Sequence, residues 1–193
     1  MPTDDELAEA LREAQAGDEH GFAVLWRAFN PAVLRYLRVV VGDAAEDVAS
    51  ETWLQAARDL DRFTGDPSAF AGWLFRIARH RGVDERRRAG RRRETPADIV
   101  DPPAVADAGS EVVEAAETAW ALNRIAALPR DQAEAVMLRV VAGLDVATAA
   151  AVLGKRAGAV RIATMRGLRR LAADPEVRER APRSSPKKTV EEV

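Results

Sequence analysis

The sequence predicts an all-α protein of two small helical domains joined by an acidic linker. Apolar residues recur every three or four positions along most of the chain, which is the period of one helix face, and the alternation typical of strands is nearly absent. Between residues 94 and 116 the apolar period stops, and prolines and acids take its place. A chain of 193 residues is long enough for one mid-sized core or two small ones, since single cores usually span roughly 100–200 residues.

The composition excludes several classes of protein. The chain has 29 lysine and arginine residues against 31 aspartate and glutamate residues, a formal net charge of -2, and 47% hydrophobic residues. It has no cysteine and only two histidines, which argues against disulfides and against thiolate or histidine-rich metal sites. No apolar stretch approaches the roughly 18 residues of a membrane span, and the acidic start is unlike a signal peptide. We therefore expect a soluble cytoplasmic protein without metal or cofactor.

The small net charge conceals a strong segregation of charge along the chain. Residues 1–20 hold seven acids and one arginine, and residues 43–61 hold six acids and one arginine. Residues 76–93 hold nine arginines and two acids, 94–123 hold seven acids and no base, and 155–171 hold six bases and no acid. Such blocks indicate different partners for different segments. The alternative is that they only solvate helix faces and attract one another within the chain.

The first module, residues 5–93, is predicted to be a bundle of about four helices. Its first apolar stripe is interrupted by Asn30-Pro31, a cap followed by proline, which predicts the start of a fresh helix. Further helices are predicted over about 44–60 and 69–88, separated by a polar loop. The residues predicted to face the core are Phe22, Trp26, Phe29, Val33, Leu37, Val40, Ala45, Val48, Ala49, Thr52, Trp53, Ala56, Leu60, Phe70, Trp73, Leu74 and Ile77.

A linker, a second module and a tail follow the first module. Residues 94–116 are rich in proline and acids and predict an extended acidic linker. The second module, 117–173, has a helical apolar pattern up to Gly143, then a short helix over about 145–153, a turn at Gly154 and a basic helix over about 157–172. The last three features predict a helix-turn-helix. Residues 174–193 predict a disordered tail.

The basic helix of the second module has the composition of a helix that fits the major groove of DNA. Its apolar face is predicted at Val160, Ala163, Leu168 and Leu171, and its other face carries Arg156, Arg161, Met165, Arg166 and Arg169. Arginine can bridge guanine O6 and N7, and small or apolar neighbours allow close approach to the bases. Those neighbours are Ala157, Gly158, Ile162 and Thr164. A packed helical hairpin with a solvated arginine face is the alternative.

The end of the first module interleaves aromatic residues with arginines: Phe63, Phe70, Trp73, Phe75, Arg76, Arg79, His80, Arg86, Arg87 and Arg88. Arginines follow phosphates and exposed aromatic faces stack on unpaired bases, which together suit a single-strand binder. The alternative for Phe70 and Trp73 is a place in the core.

The acidic helix upstream presents an outer stripe with an exposed leucine, Leu54. This stripe suits docking on a basic partner helix, and a plain solvated face is the alternative.

The order of these segments resembles the sigma-70 family of transcription initiation factors. Residues 45–56, AEDVASETWLQA, resemble the polymerase-binding segment of region two, and residues 70–80, FAGWLFRIARH, followed by Asp84 and 86–88, resemble the promoter-melting segment. Residues 128–171 are similar to region four. Two modules with only a linker between them resemble the extracytoplasmic-function group, which lacks the other sigma domains.

The resemblance implies three binding surfaces. The residues expected to dock on the clamp coiled coil of core RNA polymerase are Asp47, Ser50, Glu51 and Leu54. Those expected at the −10 element are Asp61, Phe63, Asp66, Phe70, Trp73, Arg76, Arg79, His80 and Arg87, where the loop receives an extruded base. Those expected at the −35 element are Arg156, Ala157, Gly158, Arg161, Ile162, Met165 and Arg166. The polymerase flap and an anti-sigma protein are further expected partners, and no membrane insertion is expected.

Two other classes of function remain as alternatives. A stand-alone DNA-binding regulator would use the helix-turn-helix but has no need of the arginine-aromatic helix or the acidic linker. An enzyme finds little support, because the chain has no thiol, no glycine-rich phosphate loop and no histidine paired with a nucleophile.

Overall fold

The computed structural model describes residues 2–93 and 109–180, and the regular structure in these ranges is helical throughout. The helices are α1 Asp4–Gln15, α2 Glu19–Val41, α3 Ala45–Asp59, α4 Pro67–Arg93, α5 Gly109–Ala126, α6 Arg130–Val136, α7 Val146–Leu153, α8 Ala157–Ala173 and α9 Pro175–Arg180. Short 3-10 turns flank α3, and a π turn over Met137–Val141 extends α6. The all-α prediction is confirmed. Within these ranges, no helix combines the length and the apolar character that crossing a membrane requires.

Helix α1 is fixed at its start by a capping box and along its length by a close helix crossing. The Thr3 hydroxyl accepts from the Glu6 backbone N–H, and the Glu6 carboxylate accepts from the Thr3 N–H at 2.7 Å. Gly21 of α2 faces this helix so closely that a Cβ there would lie 2.5 Å from the Ala10 carbonyl oxygen. At its other end, the Gln15 amide donates to the backbone oxygens of Leu60 and Phe63. Helix α1 therefore holds the loop that precedes α4.

Helix α2 runs through Pro31 without a break, so the prediction of a fresh helix at Asn30-Pro31 is wrong. Proline removes one backbone hydrogen bond, but Leu25, Val33 and Leu37 on both sides of it are fully buried in the same core. Their burial favours one continuous helix. Asn30 does not act as a cap; its side-chain oxygen accepts a hydrogen bond from Trp53 Nε1 at 3.0 Å.

The core of the first module lies between α2, α3 and α4. All the residues of α3 predicted to face inwards are buried, from Ala45 to Ala56, together with Leu60. Gly82 lets α4 approach α2 closely, since a Cβ at this position would lie 3.2 Å from Val40 Cγ1. Trp26 departs from its prediction as a core residue, with 44% of its surface exposed.

The second module is organised around α6 and α8, which cross at Gly167. A Cβ on this glycine would lie 2.7 Å from Val136 Cγ2, and Val160 of α8 is also fully buried. The predicted apolar face of α8 is wrong at Leu168, which is 42% exposed, because the buried position at this level of the helix is taken by the glycine. The predicted turn is present, with Gly154 in the left-handed conformation (φ 63°) between α7 and α8.

Two predicted boundaries differ from the structure. Helix α5 begins at Gly109, inside the predicted linker of 94–116, in a run rich in alanine and other helix-forming residues. Residues 175–180 form α9, although a disordered tail was expected from residue 174. Arg124 of α5 pairs with Asp174 and Glu176, and Arg180 lies 4.6 Å above the Trp120 ring, which explains the ordered start of this segment. The remaining linker and tail residues, 94–108 and 181–193, lie outside the described ranges.

The crossing of α1 and α2 provides a direct test of the packing. We expect Gly21→Ala to destabilise the protein by about 1–3 kcal/mol, because its Cβ would meet the backbone of α1. The matched control is Gly90→Ala in α4, where a Cβ meets nothing within 4 Å and alanine should stabilise the helix by about 0.5–1 kcal/mol. Urea unfolding measures both changes. Equal effects of the two substitutions would contradict the packing of α1 on α2.

Candidate nucleic-acid interface

The four residues predicted to dock on polymerase form one exposed face of α3. Asp47 lies three and four residues before Ser50 and Glu51, and Leu54 lies three and four residues after Glu51 and Ser50, which is the spacing of one helix face. All four are exposed, with Leu54 at 58%. The Ser50 hydroxyl donates to the Glu46 carbonyl within the helix. The Glu51 carboxylate lies 3.9 Å from Arg81 and 4.0 Å from Arg88 of α4, so it interacts weakly with the neighbouring basic helix. The face combines negative charge with an exposed apolar side chain.

A groove beside this face contains a residue that the sequence assigned to the core. Trp26 of α2 and Leu54 of α3 border a cavity of about 420 Å³, with Phe22 and Leu34 also in its lining. The helical spacing of Trp26 predicted a place on the apolar face of α2, but spacing alone does not show how wide the buried part of that face is. The next residue, Arg27, is exposed as well, and this local polarity was the available signal.

Four aromatic rings support the start of α4. Phe70 has its ring centroid 5.4 Å from that of Phe29, 5.7 Å from that of Phe63 and 5.6 Å from that of Trp73. Phe70 is fully buried, whereas Phe63 and Trp73 are half-buried. A buried ring cannot stack on a base, so the assignment of Phe70 to a DNA contact is corrected. Phe70 instead packs against the rings of Phe63 and Trp73 on the side that faces the core. Phe63 and Trp73 retain partly accessible rings, 5.2 Å apart.

The loop before α4 is held at several points. Its start is fixed by the Gln15 hydrogen bonds, and its end by Asp66, whose carboxylate accepts from the Ala69 N–H at 2.7 Å and so caps α4. Asp61 is exposed on the short turn after α3. The loop therefore forms a shaped, exposed feature beside the half-buried aromatic rings, which is a suitable geometry for holding an unpaired base.

The basic residues of α4 lie on two different faces. Arg76, His80 and Arg87 are exposed, and Arg87 lies 3.7 Å from Asp84 on its own helix. Arg79 instead donates to Glu134 of α6 at 2.9 Å. Of the predicted −10 residues on this helix, the structure thus leaves three at the surface and engages Arg79 within the chain.

The predicted −35 residues form an exposed surface on α8. Arg156, Gly158, Arg161, Ile162, Met165 and Arg166 are exposed, and Ala157 is half-buried at the helix start. Met165 and Leu168 contribute to a cavity of about 480 Å³ whose rim includes Arg139, Arg161 and Arg169. The combination of cations and apolar side chains on one exposed helix can contact phosphates, base edges and thymine methyl groups.

Two acidic residues hold the helix-turn-helix in place. Asp145 caps α7 by accepting from the Ala147 and Thr148 N–H groups at 2.7 and 3.0 Å, and the hydrogen bond from the Thr148 hydroxyl lowers the pKa of its carboxyl. Asp131 accepts from Lys155 at 2.7 Å, and this bond lowers the Asp131 pKa. The turn before α8 is thereby tied to α6. Within residues 2–93 and 109–180, no group of three acids or histidines is arranged to hold a metal ion.

Comparison with known proteins agrees with this arrangement. Residues 25–92 match the family description "Sigma-70 region 2", and residues 119–171 match "Sigma-70, region 4". The chain is 36% identical over 173 residues to the ECF RNA polymerase sigma factor SigD of Mycobacterium tuberculosis, covering 86% of this chain and 82% of SigD. It is 35% identical over 170 residues to the ECF RNA polymerase sigma factor BldN of Streptomyces coelicolor, covering 86% of this chain and 64% of BldN.

Among solved structures, the fold is similar to that of the sigma factor RpoE from Bartonella quintana, in complex with the anti-sigma factor NepR. The TM-score is 0.63 at 23% identity, covering 83% of this chain and 98% of that chain. This similarity extends over both modules.

The role of Phe70 can be separated from that of its exposed neighbours. We expect Phe70→Ala to lower the free energy of unfolding by about 3–5 kcal/mol, because it empties a fully buried aromatic site. Arg76→Ala, on the exposed side of the same helix, should change it by no more than about 0.5 kcal/mol. Chemical denaturation distinguishes the two. A Phe70→Ala protein of unchanged stability would show that this ring is not part of the core.

Proposed function

This chain belongs to the extracytoplasmic-function group of RNA polymerase sigma factors and acts in promoter-directed transcription initiation, and we propose how its surfaces divide that task. The exposed face of α3 docks on core polymerase, the start of α4 with its preceding loop binds the melted −10 strand, and α8 recognises the −35 element. The cytoplasm, where core polymerase and promoter DNA are found, is the proposed location of this action. Sigma factors are generally non-enzymatic, and we assign no catalytic residue to the chain.

The observation that supports this division most directly is the simultaneous exposure of two surfaces of opposite charge. Asp47, Glu51 and Leu54 on α3 suit a basic, partly apolar protein helix, while Arg161 and Arg166 on α8 suit DNA. A stand-alone regulator needs only the second surface. The acidic face of α3 is therefore the feature that favours a polymerase subunit over a simple DNA-binding protein.

The −10 surface is proposed from the exposed residues that remain after Phe70 is assigned to the core. Arg76, His80 and Arg87 contact the strand backbone, and the loop with Asp61 and Phe63 receives the extruded base beside Trp73. Unstacking a base costs a few kcal/mol, which contacts to its edge in the loop offset. Asp66 contributes indirectly, as the cap that positions α4.

A protein that controls this factor is a further proposed partner. The RpoE protein of Bartonella quintana, which shares the fold, was solved in complex with an anti-sigma factor. The exposed groove at Trp26 and the cavity at Met165 and Leu168 are apolar surfaces that such a partner could cover in this chain.

The proposed function is tested by run-off transcription with core RNA polymerase on sheared genomic DNA from the source of the protein, with and without the chain. We expect new transcripts that share an upstream element. Tight binding to a duplex site without polymerase, and no new transcripts, would instead support a stand-alone regulator.

The −35 contacts make a prediction of their own. We expect Arg161→Ala or Arg166→Ala to reduce discrimination between the −35 element and its variants by about 1–3 kcal/mol, if the arginine is bidentate to guanine. Arg178→Ala, an exposed arginine of α9, is the charge-matched control. Initiation on promoters with altered −35 elements measures the effect. Discrimination equal to that of the control would exclude these two arginines from base recognition.

The polymerase contact makes a separate prediction. We expect Asp47→Arg to abolish co-purification with core polymerase, since it reverses the charge at an exposed position of the docking face, while circular dichroism remains that of the unmodified protein. Asp5→Arg makes the same reversal on the exposed surface of α1 and should leave binding intact. Normal recovery of Asp47→Arg with the polymerase would remove α3 from the interface.

A further inference from the structure

The second module lies directly on the helix that is proposed to bind the −10 strand. Helix α7 packs along α4, and the two backbones come so close that a Cβ on Gly72 would lie 2.5 Å from Thr148 Cγ2. Gly72 is the residue before Trp73, one of the partly accessible rings of the −10 surface. Buried apolar residues of both modules join in one core cluster. The described chain is thus in a closed arrangement.

A buried carboxylate accompanies this contact. Glu134 of α6 is only 3% exposed, and it accepts from Arg79 Nε at 2.9 Å and from Arg130 Nε at 2.7 Å. Arg86 lies 3.8 Å from the same carboxylate. Arg79 and Arg86 are seven residues apart and therefore share one face of α4, whereas Arg130 comes from the second module itself. Two arginines of the first module therefore face one acid of the second, and that single negative charge offsets only part of their positive charge.

A carboxylate and a phosphate make the same kind of contact with a guanidinium group. Both accept charge-assisted hydrogen bonds from its fork of N–H groups, so an acid can occupy an arginine that would otherwise bind a nucleic-acid backbone. Arg79 and Arg86 of this cluster lie on α4, and other faces of that helix carry exposed arginines.

We propose that Glu134 is an intramolecular competitor of promoter phosphates, and that it holds the free chain in a closed state that cannot engage a promoter until Arg79 and Arg86 exchange the carboxylate for DNA. This inference rests on the proposed function and concerns the regulation of the same −10 surface.

The spacing of promoter elements requires the closed state to open. Centres at −10 and −35 are about 25 base pairs apart, which is roughly 85 Å of duplex at about 3.4 Å per pair. Helices α4 and α7 touch in the closed chain, so α8, which follows α7 after a three-residue turn, cannot reach the second element. Fifteen residues connect α4 to α5, and a chain of that length has a maximum span of about 50 Å, so its length does not require the two modules to touch.

The ion cluster is suited to release. Arg86 is too far from Glu134 for a hydrogen bond, and the side chains of Arg79 and Arg86 keep 23% and 27% of their surface exposed. Burial lowers the pKa of Arg86, which means that its charged form would gain from a better-hydrated or better-paired position. A strand with closely spaced phosphates provides such a position for both arginines.

The closed state can be locked by a disulfide. In the double variant Gly72→Cys, Thr148→Cys the two Cβ atoms would lie about 3.9 Å apart, within the range of a disulfide, and the chain has no other cysteine. We expect the oxidised full-length variant to lose at least tenfold in core-dependent run-off transcription and to regain it after reduction. Each single variant and the unmodified chain, with and without reductant, are the controls.

The outcomes separate this proposal from the proposed function. If the unmodified chain yields no core-dependent transcripts, the sigma assignment fails. If the unmodified and reduced chains transcribe and the oxidised chain transcribes equally well, the closed state is not inhibitory and the proposal is overturned. Failure of the disulfide to form in the folded protein would also overturn it, since the contact between α4 and α7 would then be absent.

The role of Glu134 itself is tested by Glu134→Gln in the free chain. We expect tighter binding to a 20-nucleotide single-stranded DNA of mixed sequence. The slope of log K against log salt should steepen by up to about 1.4, because Arg79 and Arg86 would each contact one phosphate and each contact adds about 0.7 to the slope. The control Glu176→Gln removes the same charge from an exposed ion pair with Arg124. Binding and salt dependence equal to those of the control would overturn the competitor role. If Glu134→Gln fails to fold, the disulfide variant still decides the matter.

Discussion

The burial of Phe70 is the constraint on which the other surfaces of this protein depend. Its ring packs against Phe29, Phe63 and Trp73, and together with Leu74 and Ala78 it determines which side of α4 faces the core. A helix advances about 100° per residue, so this one choice orients every other side chain. Arg76, His80 and Arg87 are directed to solvent, while Gly72, Arg79 and Arg86 are directed to the second module.

Small residues set how closely the helices pack. Gly21 brings α1 onto α2, Gly167 brings α8 onto α6, and Gly72 brings α7 onto α4. The first two contacts stabilise each module, whereas the third joins the modules. All three contacts use the same device, a glycine that lets two helices approach closely. The contact between the modules is broader than the Gly72 crossing, because α2 also packs against α5 and α6.

The segregated charges have both of the roles that the sequence left open: attraction within the chain and binding of external partners. Some basic residues meet acids within the chain, as Arg79 meets Glu134 and Arg81 meets Glu51. Others, including Arg161 and Arg166, stay exposed for an external partner. On α4 the two uses are neighbours, and this is why an exchange between a carboxylate and a phosphate is physically reasonable there.

The sequence by itself determined the all-α fold, the buried face of α3 and the helix-turn-helix around Gly154, because helical periodicity and turn residues are local properties. It also placed Asp47, Glu51 and Leu54 on one exposed face. It could not show that Pro31 lies inside a continuous helix, since the core on both sides of it outweighs one lost hydrogen bond. The tertiary structure alone decided that Phe70 is buried, that Trp26 is exposed and that Arg79 meets Glu134, 55 residues away. Which groups meet across such a separation depends on how whole helices pack, and no local pattern contains that information.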